Sequence, residues 1–240
     1  MGFKRRFVRY RLSLCDGSLT SGAVGITNDA HPTTYFSDDP SLSHGVRTDP
    51  IETDPDSTAV VVVDMQNSFC HPDGSLYAPG SAAAIGPVTR LVDRGRGAGA
   101  SIVYTRDVHP PAQFEGNHYY DEFARWGEHV VEGSWDAEFV SELDVRSDDH
   151  VVEKHTYDAF YRTELEGWLD SRGIDDLLIC GTLANLCVLH TAGSAGLRDF
   201  RPVIVADAVG ALEEEHREYA IGHADWLFGE VTTLDDLTFE

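Results

Sequence analysis

Three residues that could act together in nucleophilic catalysis lie far apart in the sequence: a cysteine, an aspartate and a lysine. Cys187 follows a short apolar run, residues 177–180, which is broken by Gly181. The chain then continues to Gly193 without another glycine or proline. This pattern predicts a buried strand, a tight turn and a helix, with Asn185 as the N-cap and Cys187 in the first helical turn.

The predicted position of Cys187 favours a reactive thiol. The positive end of a helix dipole and the unpaired N–H groups of the first turn stabilise a thiolate, so we expect the pKa of Cys187 to fall. The same N–H groups could hold an oxyanion. The alternative is that Cys187 is a small buried filler, which is the usual role of an arbitrary free cysteine.

Asp64 and Lys154 each follow a predicted strand and could complete a catalytic group with the thiol. Asp64 comes directly after the β-branched run 59–63, so its carboxylate would be partly desolvated and could take the thiol proton. The chain has two lysines, Lys4 and Lys154, against 16 arginines. An ammonium at Lys154 would offset the charges of the carboxylate and the thiolate. The alternatives are a turn cap for Asp64 and a solvated surface cation for Lys154.

A second cluster of candidate residues lies in and before a long loop, residues 108–135. Asp107 and His109 are two residues apart at a predicted strand end, and His129 follows within the loop. Two imidazoles and a carboxylate suit a divalent metal, with zinc as the first choice and iron or manganese as alternatives. Glu115 and His118 are candidate extra ligands. The alternative is that these are solvated loop residues. We expect His71, His155 and His190 to be structural or surface residues.

The elements that must position these residues alternate between strands and helices. Strands are predicted at 59–63, 101–105, 151–153, 177–180, 202–206 and 230–234, and helices at 81–97, 136–143, 163–171 and 213–228. Gly173 is the expected stop of the third helix. This order predicts an α/β fold with a doubly wound, mostly parallel sheet of about six strands and helices on both faces. Sites in such sheets form beyond the carboxyl ends of the strands, where the candidate residues lie.

The composition limits the classes of function. The 240 residues include 18 basic and 41 acidic ones, a net charge of −23, which disfavours nucleic acid and anionic membranes as partners. An acidic, lysine-poor chain indicates a salt-adapted, cytoplasmic protein. The four cysteines, Cys15, Cys70, Cys180 and Cys187, show no disulfide-rich spacing, and no apolar run is long enough to span a membrane.

The N-terminal segment differs from the remainder in charge. Residues 1–47 hold six basic and four acidic residues, whereas the remaining 193 hold 12 basic and 37 acidic residues. We therefore expect residues 1–50 to be a disordered or loosely attached extension and residues 51–240 to be the folded domain. The extension has no apolar core typical of a secretion signal. We interpret it as a non-essential tail, with a basic docking arm as the alternative.

The motifs together resemble the isochorismatase-like cysteine hydrolase superfamily, and within it the nicotinamidases. The resemblance covers about residues 57–236 and is carried by segments 63–69, 105–110, 126–129, Lys154 with Tyr157 and Phe160, and 181–188. It implies a catalytic triad of Asp64, Lys154 and Cys187. It also implies an oxyanion hole from the N–H groups of Leu183 and Cys187, and a cis peptide bond between Thr182 and Leu183.

The resemblance further implies a substrate and a metal. In nicotinamidases a metal held by an Asp–His–His site binds the pyridine nitrogen, and these ligands correspond to Asp107, His109 and His129. Phe69 and Trp126 would flank the aromatic ring, and Tyr157 is a further substrate-binding candidate. The expected reaction converts nicotinamide to nicotinic acid and ammonia through a cysteine thioester, which would serve NAD salvage.

Several residues depart from the nicotinamidase pattern. Leu183-Ala184 replaces the usual Ala-Thr, Gly127 replaces a proline, and Val130 replaces a cysteine. Segments 133–138 and 160–163 look more like relatives that cleave ureido or carbamoyl groups. The alternatives are therefore another amidase of the superfamily, acting on a small carbamoyl, ureido or maleamate-like amide, or a non-catalytic binding protein of the same fold. A homo-oligomer is common in this class. A dinucleotide-dependent oxidoreductase is disfavoured because no GxGxxG follows the first strand.

Overall fold

The computed structural model describes residues 50–115 and 125–240. The predictions made for the N-terminal extension, for Cys15 and for His118 lie outside these residues. In chain order the strands are β1 (Ile51–Thr53), β2 (Thr58–Val63), β3 (Ser101–Asp107), β4 (His150–Lys154), β5 (Asp176–Gly181), β6 (Arg201–Val209), β7 (Glu230–Thr232) and β8 (Leu237–Phe239). The helices are α1 (Asn67–Cys70), α2 (Pro79–Ala98), α3 (Leu165–Arg172), α4 (Leu189–Gly196) and α5 (Glu214–Leu227).

Six strands form one parallel sheet in the order β4-β3-β2-β5-β6-β7. The chain runs outward from β2 through β3 to β4, and then from β5 through β6 to β7 in the opposite direction. The order therefore reverses between β2 and β5, which is the topological switch point where ligands bind in open α/β sheets. The predicted fold class, a doubly wound parallel sheet of about six strands, is confirmed.

The core lies on both faces of this sheet because the side chains of each strand alternate between them. In β2, Val61 and Val63 pack with α3, α4 and α5 on one face, whereas Val60 and Val62 pack with α2 on the other. Every residue of β2 is buried. This explains why β2 is a continuous β-branched run without a polar face, as is usual for a central parallel strand.

Three of the four helices predicted at 81–97, 136–143, 163–171 and 213–228 form with small shifts of their ends, and the exception is the second. Pro79 begins α2, where its missing N–H costs nothing, and Gly173 ends α3 in a left-handed conformation with a φ of 68°. In the described part of the chain, no helix is both long and apolar enough to cross a bilayer.

The helix predicted over 136–143 is wrong. A single 3₁₀ turn occupies Trp135–Ala137, and the chain then runs extended past the end of β2. There Phe139 forms an antiparallel bridge with Gln66, and the N–H of Val140 donates to the carbonyl of Met65 at 3.1 Å. These tertiary hydrogen bonds satisfy the backbone, so the local helical preference does not decide its conformation.

Strands β1 and β8 form a separate two-stranded parallel sheet that the sequence pattern did not predict. Each has three residues, which is too short for a hydrophobic period to be recognised. The last predicted strand of the main sheet is also shorter than expected, because β7 ends at Thr232.

Candidate active site

Asp64 lies at the carboxyl end of β2 and is fully buried. Its φ of 48° is left-handed, a conformation that aspartate tolerates better than most residues, and it directs the side chain beyond the strand end. The carboxylate oxygen Oδ1 accepts a hydrogen bond from the hydroxyl of Thr105 at 2.6 Å. The other oxygen, Oδ2, lies 2.6 Å from Nζ of Lys154.

Lys154 is the last residue of β4, and its side chain is completely buried. Its ammonium lies 2.6 Å from Asp64 Oδ2, 3.5 Å from Cys187 Sγ and 3.9 Å from Asp107 Oδ2, and it donates to the carbonyl of Thr156 at 2.8 Å. Burial alone lowers the pKa of Lys154, but the carboxylates of Asp107 and Asp64 outweigh burial and raise it. Lys154 is therefore a fixed cation, and the reading as a solvated surface lysine is wrong.

The loop after β5 places Cys187 beside this cation. Gly181, with a φ of 107°, passes so close to β2 that a Cβ there would overlap the carbonyl oxygen of Val63. The following peptide bond, between Thr182 and Leu183, is cis, as the resemblance implies. A π-helical turn, Ala184–Val188, then carries Cys187 and leads into α4.

Two expectations about this turn are wrong. Leu183, rather than Asn185, occupies the N-cap position, and it makes no side-chain capping bond. The pKa of Cys187 is raised rather than lowered, because burial of the thiol outweighs the opposing effect of the Lys154 ammonium. The carboxylates of Asp64 and Asp107 raise it further. The resting sulfur is therefore a thiol that needs a neighbouring base.

Asp107, His109 and His129 come together as the sequence predicted. All three are buried, and their potential ligand atoms lie within 4.8 Å of one another. Nδ1 of His109 lies 2.9 Å from Oε1 of Gln113, and Nδ1 of His129 lies 2.7 Å from the carbonyl of Gly127. Acceptors at both Nδ1 atoms favour the tautomers whose Nε2 atoms can bind a metal. These residues fit a divalent transition metal, whose identity the geometry leaves open.

A cavity of about 210 Å³ lies between the thiol and this ligand cluster. Its lining includes the three predicted substrate-binding residues, the candidate nucleophile Cys187, one metal-ligand candidate and the predicted oxyanion residue Leu183. The lining residues are Phe69, Ser75, Leu76, Tyr77, Ala78, Asp107, Trp126, Tyr157, Leu183, Leu186, Cys187 and Leu212. Most of these side chains are apolar or aromatic, which is typical of a pocket for a small organic molecule.

Glu115 and three further histidines do not join the ligand cluster found among the described residues. His71 and His190 are exposed, and His155 has its Nδ1 against the carbonyl of Val108. These three histidines are structural or surface residues, as the sequence predicted.

Sequence reasoning missed the residues that hold the candidate site in place. The amide of Gln66 donates to the carbonyls of Asp107 and Ala137, at 2.8 and 2.9 Å, and its oxygen accepts from the N–H of Asp107 at 2.9 Å. Gln66 thus joins the end of β2 to the end of β3. Its position two residues after Asp64, just beyond the first predicted strand, was the available signal.

Asp136 was also missed as a site residue. Its carboxylate accepts from the N–H and the hydroxyl of Ser75, at 3.0 and 2.7 Å, and from the N–H of Val130 at 3.0 Å. It therefore ties a cavity-lining residue to the residue after His129. Burial alone raises the pKa of Asp136, but these hydrogen bonds outweigh burial and lower it.

Named enzymes are similar in sequence to nearly the whole described domain. The chain is 28% identical to the ureidoacrylate amidohydrolase of Azorhizobium caulinodans over 210 residues, which are 79% of this chain and 92% of that protein. It is 30% identical to nicotinamidase 3 of Arabidopsis thaliana over 190 residues, which are 77% and 89% of the two chains. Further bacterial ureidoacrylate amidohydrolases match at 27–31% identity.

A solved structure shares the fold. The pyrazinamidase of Pyrococcus horikoshii in complex with zinc superposes with a TM-score of 0.67 at 29% identity, covering 74% of this chain and 99% of that one. The model of the isochorismatase domain matches residues 58–236, which include all six strands of the main sheet and every candidate site residue. The chain therefore belongs to the isochorismatase family of hydrolases.

Proposed function

We propose that the chain is an amidohydrolase in which Asp64, Lys154 and Cys187 form the catalytic triad. The observation that carries this proposal is the buried ammonium of Lys154, which lies 2.6 Å from the carboxylate and 3.5 Å from the sulfur. The ends of β2 and β4 supply a base and a fixed cation, and the turn after β5 supplies a nucleophile that lines the cavity. This set of groups suits attack on an amide carbon through a covalent intermediate.

In the first half of the reaction, Asp64 takes the proton of Cys187 as the sulfur attacks the amide carbon. The fixed charge of Lys154 offsets the charge that develops on the sulfur. The N–H groups of Leu183 and Cys187 hold the oxyanion. The carbon–nitrogen bond then breaks, Asp64 returns the proton to the leaving ammonia, and a thioester with Cys187 remains.

In the second half, water replaces ammonia. Asp64 takes a proton from the water as the oxygen attacks the thioester carbon, and the carbon–sulfur bond breaks. The sulfur leaves with the proton that Asp64 accepted, and the carboxylic acid departs. Because the pKa of Cys187 is raised, the protonated sulfur is a stable end state and the enzyme is ready for the next amide.

We propose nicotinamide as the substrate that the geometry supports best. Phe69, Trp126 and Tyr157 line the cavity beside Cys187, and aromatic side chains suit a flat heteroaromatic ring. A metal bound by Asp107, His109 and His129 would supply a Lewis acid for the ring nitrogen.

The charge of the cavity also favours an uncharged amide. Among the described lining residues, the one charged side chain is Asp107, and none is Lys or Arg. A substrate carboxylate would therefore meet no Lys or Arg side chain among these described lining residues to offset the loss of its hydration. Nicotinamide has no such charge.

A carbamoyl or ureido compound is the second candidate, and sequence likeness favours it. Several ureidoacrylate amidohydrolases are among the relatives, and the segment that carries Trp135 and Asp136 resembles theirs. The same triad could release ammonia from a terminal carbamoyl group. This candidate requires a way of holding the carboxylate that such substrates carry.

An ammonia-release assay separates the two candidates. The purified enzyme would be given nicotinamide, N-carbamoylglycine and ureidoacrylate in turn, each before and after removal of metal by a chelator and re-addition of zinc. We expect turnover of nicotinamide that is lost with the metal, and that is also lost, together with bound metal, in His109→Ala. Metal-independent turnover of a ureido compound would favour the second candidate, and no ammonia from any amide would refute the proposal.

A further inference from the structure

Thr105 holds the carboxylate of Asp64 from the side opposite Lys154. It lies on β3, is fully buried, and is paired in register with Val63, the residue before Asp64. Its hydroxyl donates to Asp64 Oδ1 at 2.6 Å, and the N–H of Asp64 is shared between the backbone carbonyl of Thr105 and the same hydroxyl oxygen, each at 3.2 Å. Thr105 is absent from the cavity lining, and its hydroxyl proton goes to Asp64, so its route to the reaction runs through that carboxylate.

The two hydrogen bonds determine the orientation of this hydroxyl. A threonine hydroxyl has one proton to donate and lone pairs to accept with. Because a carboxylate oxygen can only accept, the single hydroxyl proton is directed at Oδ1, and the N–H of Asp64 approaches a lone pair of the same Oγ1. Oδ1 of Asp64 therefore accepts the hydrogen bond from Thr105. Oδ2 contacts the ammonium of Lys154, which in turn lies beside the sulfur of Cys187.

We propose that Thr105 is a positioning residue that selects Oδ2 of Asp64 as the oxygen that exchanges protons with Cys187. This inference rests on the proposed function, in which Asp64 is the general base. A carboxylate that is held by both oxygens cannot rotate about its terminal bond. The oxygen that takes the thiol proton thus stays in place to return it to ammonia, and a group held in position loses less entropy in the transition state.

A purely structural role for Thr105 makes a different prediction. Threonine is common in strands, and a buried hydroxyl needs an acceptor wherever it lies. If that were all, replacing Thr105 would lower the stability of the sheet and leave turnover per folded molecule unchanged. The two readings are therefore separated by kcat measured on folded enzyme.

The central variant is Thr105→Val, which keeps the size and the β-branched shape but removes the hydroxyl. Thr58→Val is the matched control, because Thr58 is also fully buried in the same sheet and its hydroxyl donates to the carbonyl of Asp54 at 2.7 Å, away from the site. Thr105→Ser restores the hydroxyl without the methyl group. Circular dichroism and thermal unfolding would be measured for all three variants beside the wild type.

We expect Thr105→Val to lower kcat for ammonia release by about 10- to 100-fold, the equivalent of one hydrogen bond to a charged group, while KM changes less than about twofold. Thr105→Ser should recover most of the loss, and Thr58→Val should keep the wild-type kcat. The inference is overturned if Thr105→Val keeps its kcat, if Thr58→Val loses as much, or if Thr105→Ser recovers nothing.

A second readout does not depend on amide hydrolysis. Alkylation of Cys187 by iodoacetamide, followed by mass spectrometry of the peptide that contains it, reports the removal of its proton directly. Slower labelling in Thr105→Val, restored in Thr105→Ser, supports the inference even if the wild type hydrolyses no amide, in which case only the proposed function has failed. Equal labelling of all variants overturns the inference, whatever amide the enzyme hydrolyses.

Discussion

Replacement of the buried lysine should strongly destabilise the protein. Lys154→Met preserves most of the side-chain volume but leaves the carboxylates of Asp64 and Asp107, 2.6 and 3.9 Å from the lost nitrogen, without their cation. Removing one partner of a buried ion pair costs about 3–5 kcal/mol because the remaining charge stays desolvated. For a domain of this size that corresponds to a drop in Tm of roughly 6–20 °C.

Two further variants show whether charge is the cause. Arg146→Met removes an exposed arginine that is paired with Asp144 at 2.7 Å, and we expect a loss below about 1 kcal/mol because such pairs are solvated. The double variant Asp64→Asn/Lys154→Met removes one stranded carboxylate together with the cation. It should recover part of the stability lost in the single variant while remaining without activity.

The deficit of Lys154→Met should be the same at every pH between 6 and 9. The pKa of Lys154 is raised in the folded protein, so its contribution is fully present below the unfolded pKa of about 10.4 and is lost only as pH rises through the higher folded value. Urea unfolding followed by circular dichroism, at three pH values in this window, measures it. A single variant that unfolds within about 1 kcal/mol of the wild type would refute the account of a buried, charge-paired lysine.

Three other changes test the site and the loop that carries it. Cys187→Ala should stay folded but release no ammonia, and mass spectrometry of quenched reactions should find an acyl adduct on the wild type alone. Leu212→Arg places a cation at the half-exposed edge of the cavity and should raise kcat/KM for N-carbamoylglycine about fivefold, whereas Leu212→Gln should not. Gly181→Ala should lower the free energy of urea unfolding by about 2 kcal/mol or more, because Gly181 has a φ of 107° and an added Cβ would overlap Val63. Gly167→Ala should be neutral or slightly stabilising, because its Cβ would meet no atom within 4 Å.

Most of the architecture was predictable because it depends on local patterns. The β-branched run 59–63 indicated a strand buried on both faces, and the alternation of strands with helices indicated a parallel sheet. Polar residues directly after apolar runs then indicated where a site would form, since the carboxyl ends of parallel strands share one edge. The positions of Asp64, Asp107 and Lys154 follow from that reasoning. The helix wrongly predicted at 136–143 shows its limit, because tertiary hydrogen bonds replaced the local preference there.

The residue pattern of the chain sets which chemical groups reach the edge of the sheet, whereas the interactions among those groups depend on tertiary contacts. Strand order places β2 between β3 and β5, so Asp64 meets Thr105 on one side and the turn that carries Cys187 on the other. The depth of that turn decides the pKa of the thiol, and burial outweighs the cation beside it. Such effects depend on interactions between residues far apart in the sequence, since Asp64 is 41 positions from Thr105 and 123 from Cys187, and no local pattern encodes them.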